Sequence, residues 1–213
     1  MSTKAVRHLS RVDPVMRALI RRVGKCGLAV RGHSPFETLV RAIAHQQIHG
    51  RAAAAILGRF VALFPGRRFP TPADIVAVDP RKMRRTGFSR GKIRSIKGIA
   101  RNAAAGRVPT ARACQRLSDE DIVERLTELH GVGRWTVEML LLFTLGRPDV
   151  LPVDDFGVRE GFKVAYGRRK QPTAKQLRRY GERWRPHRSV AAWYLWRAVE
   201  QAAQRKVQPT ITS

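Results

Sequence analysis

Apolar residues recur at steps of three and four along most of this chain, and convincing two-residue alternation is absent, so the pattern predicts helices. Ser34-Pro35-Phe36-Glu37 reads as an N-cap, a proline at the first helical position and a capping-box glutamate. Behind it Phe36, Leu39, Val40 and Ile43 share one face, and Gly50 marks a break near that helix's end. A second, Ala-rich helix runs from Arg51 to Phe64 and stops at Pro65-Gly66. Thr71-Pro72-Ala73-Asp74 repeats the cap-and-proline signal for a short helix. A basic turn, Gly87 to Lys92, feeds a helix from about Ile93 to Ala105. Ser118 caps a helix to about Leu129; after a Gly131–Gly133 turn, a strongly apolar helix runs from about Arg134 to Leu145. Asp154 or Asp155 caps a helix through Phe162, Thr173 with Gln176 forms another capping box, and a last helix spans about Ser189 to Arg205. The expectation is an all-α fold of about ten helices joined by short loops.

Charge sharpens this picture. The 213 residues carry 42 Lys and Arg against 16 Asp and Glu, a formal net charge of +26. The basic residues are interleaved with a hydrophobic fraction of 43%, which points to a folded surface for a polyanion and not a polybasic tail. Cys26 and Cys114 lie far apart and form no CxxC, which excludes a zinc ribbon or a four-cysteine iron–sulfur cluster. No apolar run is long enough to span a bilayer, and no signal-peptide core opens the chain. A soluble intracellular protein is expected, nucleoid-associated in a bacterial cytoplasm or nuclear in a eukaryote.

Two motifs carry candidate chemistry. Helix, Gly131-Val132-Gly133, helix reads as a helix–hairpin–helix. Its glycines permit backbone angles that other residues resist and expose N–H groups at a helix start, where a phosphate is favoured. Such contacts position a duplex without reading its bases. The carbonyls of Thr127, Leu129 and Val132 are candidates to converge on a Na+ or K+ ion. Pro152-Val153-Asp154-Asp155 then sets two adjacent carboxylates in a basic chain. Either is a plain helix cap, or one is retained near DNA for chemistry, stabilising an oxocarbenium ion or activating water.

With these residues in place, the chain resembles the HhH-GPD DNA glycosylases, in particular the AlkA/Mag-type 3-methyladenine DNA glycosylases II. The resemblance runs from Ser34 to Trp196. It rests on Pro35-Phe36-Glu37 through Ile48, on Gly87-Phe88-Ser89 with Lys92, on the hairpin through Asp155, and on Arg178 through Ser189. It implies two helical lobes flanking a cleft, with Asp155 catalytic and Asp154 left as the cap. It puts Trp135 where bifunctional relatives carry a Schiff-base lysine, so a monofunctional, water-using enzyme without lyase activity is expected. Gln46, Gln47, Ile48 and His49 match a loop that wedges into the minor groove, with Gln47 and His49 as alternative plugs for the hole left by a flipped base.

Trp135 and Trp196 match aromatic pocket positions. Met139 stands where the AlkA type has a tyrosine, and Glu138 is either a pocket acid or the partner of an arginine. DNA contacts are expected from Ser89, Lys92, Arg134 and Thr136 along with the hairpin. N3- or N7-alkylated purines are cationic leaving groups that need no strong general acid, only a carboxylate and an aromatic pocket. The expected function is hydrolytic excision of such bases from double-stranded DNA in base excision repair. The alternatives are another lesion (hypoxanthine, ethenoadenine or a mismatch) or a non-catalytic DNA-binding module. No cofactor is expected beyond a possible monovalent cation. A monomer of one domain over residues 1–213 is expected, with the hairpin at about 118–146 and no N-terminal β-containing domain before Ser34.

Overall fold

A computed structural model of the protein describes residues 3–48 and 50–207, and all regular structure among them is helical. The chain divides into two compact units, residues 1–30 with 146–213 and residues 31–145. None of the described helices is long and apolar enough to cross a membrane.

The first unit opens with α1 (Thr3–Val12) and α2 (Pro14–Val23), which precede the first helix read from the sequence. Asp13 joins them. Its Oδ1 accepts the N–H groups of Val15 and Met16 at 3.0 and 3.1 Å, and its Oδ2 accepts the Tyr166 hydroxyl at 2.6 Å and the Trp184 indole at 2.9 Å. A fully buried carboxylate is tolerated because four donors replace water. Burial and this bond push the Tyr166 phenol well above its ordinary pKa.

The second unit holds α3 (Pro35–His45), α4 (Gly50–Val61), α5 (Pro72–Ala77), α6 (Pro80–Arg85), α7 (Arg90–Ala104), α8 (Ala111–Cys114), α9 (Asp119–Thr127) and α10 (Arg134–Phe143). In α3, Leu39, Val40 and Ile43 are fully buried, as their spacing predicts, and Phe36 packs edge-on against Phe69. Ser34 accepts the Glu37 N–H at 3.1 Å, but the Glu37 side chain does not return to the cap. It lies buried among Arg41 at 2.8 Å and Arg68 at 3.3 Å, so the expected capping box is only half formed. A buried carboxylate is better held by guanidinium partners than by a backbone N–H. Gly50 opens α4 and does not close α3, which ends at His45. At Thr71 with Asp74 and at Ser118 with Asp121 the capping boxes are complete in both directions.

The first unit resumes with α11 (Phe156–Ala165), α12 (Ala174–Gly181), a 3-10 turn (Glu182–Trp184) and α13 (Arg188–Val207). Thr173 and Gln176 form the expected reciprocal box. Helices α11 and α13 approach closely at Gly161, where a Cβ would lie 2.1 Å from the Leu195 carbonyl oxygen. Around this contact Leu9, Met16, Leu19, Leu177, Trp184 and Tyr194 fill the core.

Candidate active site

The hairpin joins α9 to α10. Leu129 donates to Leu126 and Val132 to Leu129, at 3.2 and 2.9 Å, which folds the chain back on itself. Gly131 sits at φ +86°, and a Cβ there would meet Ser95 Oγ at 2.5 Å, so both backbone and space demand glycine. Gly133 differs from the expectation. Its φ of −94° and ψ of 167° are open to any residue, and nothing lies within 4 Å of an added Cβ. Its lack of a side chain instead leaves the approach to α10 open.

That helix start differs from nine others. The starts at Asp13, Ser34, Thr71, Asp79, Ser89, Thr110, Ser118, Asp155 and Thr173 each accept a backbone N–H on the cap's own side chain. Helix α10 begins on Gly133 with no side-chain cap. The partial positive charge of its first turn is therefore not met by a cap side chain.

Several expected DNA contacts are spent inside the protein. Thr136 is buried and its N–H donates to the Gly133 carbonyl at 2.9 Å. Val132 is buried too and offers only main chain. Arg134 grips both oxygens of Glu120 at 2.9 and 2.8 Å and lies 3.4 Å from Glu138, which holds its guanidinium strongly protonated. Ser89 Oγ caps α7 by accepting the Lys92 N–H. The Lys92 ammonium donates to the Ala44 carbonyl at 2.8 Å, and its partial burial lowers its pKa.

These contacts have a shared result. Lys92 secures the end of α3, and Gln46 Nε2 donates to the Gly131 carbonyl at 3.1 Å. The expected wedge segment is thus tied to the hairpin through Gln46, while Lys92 ties the helix before it to α7. Gln47 beside them is exposed in the left-handed region at φ 56°, and Ile48 is 38% exposed. His49, the other plug candidate, lies outside the described residues.

Next to this segment is a pocket of about 840 Å3. Trp135, Met139 and Phe143, spaced by four along α10, line it with His45, Gln46 and Gln47. Trp135 is 43% exposed, unusual for so large an apolar side chain. Glu138 does not line this pocket; its buried carboxylate lies 3.4 Å from the Arg134 guanidinium. Arg41, His45 and Phe143 were not expected. Phe143 extends the four-residue stripe of Trp135 and Met139, a signal visible in the sequence.

In the other unit Asp155 is itself the cap of α11. Its Oδ1 accepts the Val158 N–H at 2.7 Å and the Trp196 indole N–H at 2.8 Å. Asp154 is exposed and does not cap, contrary to expectation. The reason is geometric: the residue directly preceding the first helical turn reaches its third N–H, and one residue earlier the carboxylate falls short. Gly157 keeps the site compact, since a Cβ there would lie 2.8 Å from Trp196 and 3.1 Å from Asp155 Oδ1. Trp196 thereby acts as a donor that fixes the carboxylate. Among the described residues no group of His, Cys, Asp and Glu is placed to hold a metal ion.

Residues 40–186 match the family of HhH-GPD superfamily base excision DNA repair proteins. This chain belongs to that superfamily. It is 43% identical over 202 residues to DNA-3-methyladenine glycosylase 1 of Schizosaccharomyces pombe, covering 94% of this chain and 89% of the relative. The S. pombe 3-methyladenine DNA glycosylase Mag1 in complex with abasic DNA superposes with a TM-score of 0.84 over 92% of this chain and 96% of that one. DNA-3-methyladenine glycosidase from Bacillus halodurans, 32% identical, gives a TM-score of 0.85 over 95% and 92%.

Proposed function

We propose that this superfamily member is a monofunctional DNA glycosylase that turns an alkylated purine out of duplex DNA and hydrolyses its N-glycosidic bond. The carboxylate of Asp155, fixed through one oxygen by Val158 and Trp196 in a chain of net charge +26, carries this reading. A 3-methyladenine or 7-methylguanine type of base bears positive charge. Its bond to C1′ breaks with the electron pair moving to the base, which leaves neutral, and the sugar becomes an oxocarbenium ion. Asp155 stabilises that cation and accepts a proton from the water whose oxygen bonds to C1′, leaving an abasic site. Trp135, Met139 and Phe143 offer aromatic faces and a polarisable sulfur suited to a cationic purine. Trp135 also supplies no amine for a Schiff base, which supports hydrolysis without strand cleavage.

The similarity to proteins named DNA-3-methyladenine glycosylase supports the choice of lesion. The start of α10 grips a phosphate, and Gln47 or His49 fills the space of the departed base. Thr127 ends α9, where helix geometry leaves carbonyls without helical partners. Its carbonyl with those of Leu129 and Val132 suits a monovalent cation, which would add positive charge beneath the phosphate. The protein acts as a monomer. Bases released from methylated duplex DNA, separated by chromatography, should include 3-methyladenine and 7-methylguanine. Release of hypoxanthine or ethenoadenine with no methylated purine would overturn the substrate, and binding with no release would overturn the activity.

A further inference from the structure

The groove between α6 and α7 has cations on both walls. Arg81, Arg84 and Arg85 stand on α6, while Arg90, Arg94, Lys97 and Arg101 form a stripe on α7 at three- and four-residue steps. The cavity measures about 690 Å3, and Pro80 and Ile93 form part of its lining. Arg84 donates to the Phe88 carbonyl, and Lys97 donates to the carbonyls of Val76 and Val78. Arg81, Arg85, Arg94 and Arg101 are exposed, and among the described residues none forms an ion pair with a carboxylate. So much unneutralised charge facing one concavity calls for a polyanion.

This groove lies apart from the hairpin contact. Lys92 and Ser95 are the α7 residues that reach Ala44 and abut Gly131. At about 100° per residue they stand on the opposite side of α7 from the Arg90–Arg101 stripe. The stripe is about 16 Å long at ~1.5 Å per residue, room for several phosphates of one strand at ~3.4 Å each. A sugar–phosphate ridge fits a groove with guanidiniums on both sides, and it requires no side-chain pockets.

We propose that this groove binds the backbone of a second DNA duplex while the hairpin holds the lesion-bearing one. The protein would then pass directly from one DNA segment to another during its search. The test uses the full chain saturated with an immobilised abasic duplex and measures capture of a labelled undamaged duplex. Wild-type protein should capture it in a salt-sensitive manner. R85E/R94E/R101E should abolish capture. R85Q/R94Q/R101Q should weaken capture to an intermediate level and lower the log–log salt slope by about 3, at about 0.9 per phosphate contact. All three proteins should release base equally from a short methylated duplex, which reports on the lesion site alone. The control R168E/R169E/K170E makes the same charge change on exposed residues elsewhere and should still capture.

Undiminished capture by R85E/R94E/R101E would overturn the proposal, and so would equal loss in the control, which would mean bulk charge. Failure of wild-type protein to capture duplex while it retains an acidic peptide through these arginines would assign the groove to a protein partner and would overturn it as well.

Discussion

Two helix starts in this protein use the same electrostatics in opposite ways. At α11 the positive end is occupied from within: Asp155 lies on the Val158 N–H and is held there by the Trp196 indole. At α10 the positive end is left open, because Gly133 brings no side chain. One arrangement orients a carboxylate of the protein, and the other leaves the first turn of the helix without a cap side chain. The difference lies in a single residue type at the cap position. The lesson is that a cap side chain occupies the positive end of a helix at nine described starts, whereas at α10 that end meets no cap side chain.

The largest effect is expected from Asp155→Asn. Asparagine still caps a helix, so the melting temperature should hold, while single-turnover base release falls roughly 10^2–10^3-fold, the scale of losing a preorganised electrostatic group. Retention of full release would reduce Asp155 to a cap and erase the contrast between the two helix starts. Gly133→Asp would make α10 resemble α11. Helix stability should rise by a few tenths of a kcal/mol, and affinity for an abasic duplex should drop roughly 10–100-fold as the new carboxylate opposes the phosphate. Unchanged affinity in a titration would show that no phosphate sits there.

Trp196→Phe keeps an aromatic ring but removes the indole donor. The chemical step should slow roughly tenfold, the worth of one hydrogen bond to a carboxylate, with little change in DNA affinity. A loss of affinity with an intact rate would instead make Trp196 a packing residue.

The smallest effect concerns the self-capped helices at Asp74 and Asp121. Hydrogen bonds to Thr71 and Ser118, side chain and backbone, hold both carboxyls below their usual pKa. A carboxyl lowered in the folded state contributes stability above its unfolded pKa and loses it as pH falls through the folded value. D74N/D121N should therefore lower the melting temperature slightly at neutral pH, leave it almost unchanged at strongly acidic pH, and so flatten the acid arm of the profile. Base release at neutral pH should not move, since neither residue touches DNA or base.

Much of the fold was legible because its signals are local. Ser34, Thr71, Ser118 and Thr173 each announce a helix through the residue three positions on, and the structure places caps at all four. What the sequence did not reveal were the distant partners. Glu37 leaves its cap for Arg68, thirty-one residues away. Lys92 turns from solvent to the Ala44 carbonyl, and Thr136 is buried by packing that its neighbours in sequence do not reveal. Asp13 caps α2 through its local N–H groups, yet nothing nearby in sequence points to its bonds with Tyr166 and Trp184.

By itself the sequence determined the helical class, the superfamily motifs and the polyanionic partner, and it singled out Asp155 and Trp135 as candidates for the chemistry. Periodicity, caps and net charge act over one or two helical turns or through simple summation, so they survive without coordinates. Only the tertiary structure decided that Asp155 and not Asp154 is the cap, that Glu138 lies beside Arg134, and that Gln46 and Lys92 tie down the wedge segment and the helix before it. Those choices depend on which helix packs beside which, and burial penalises any polar group that does not find its partner there.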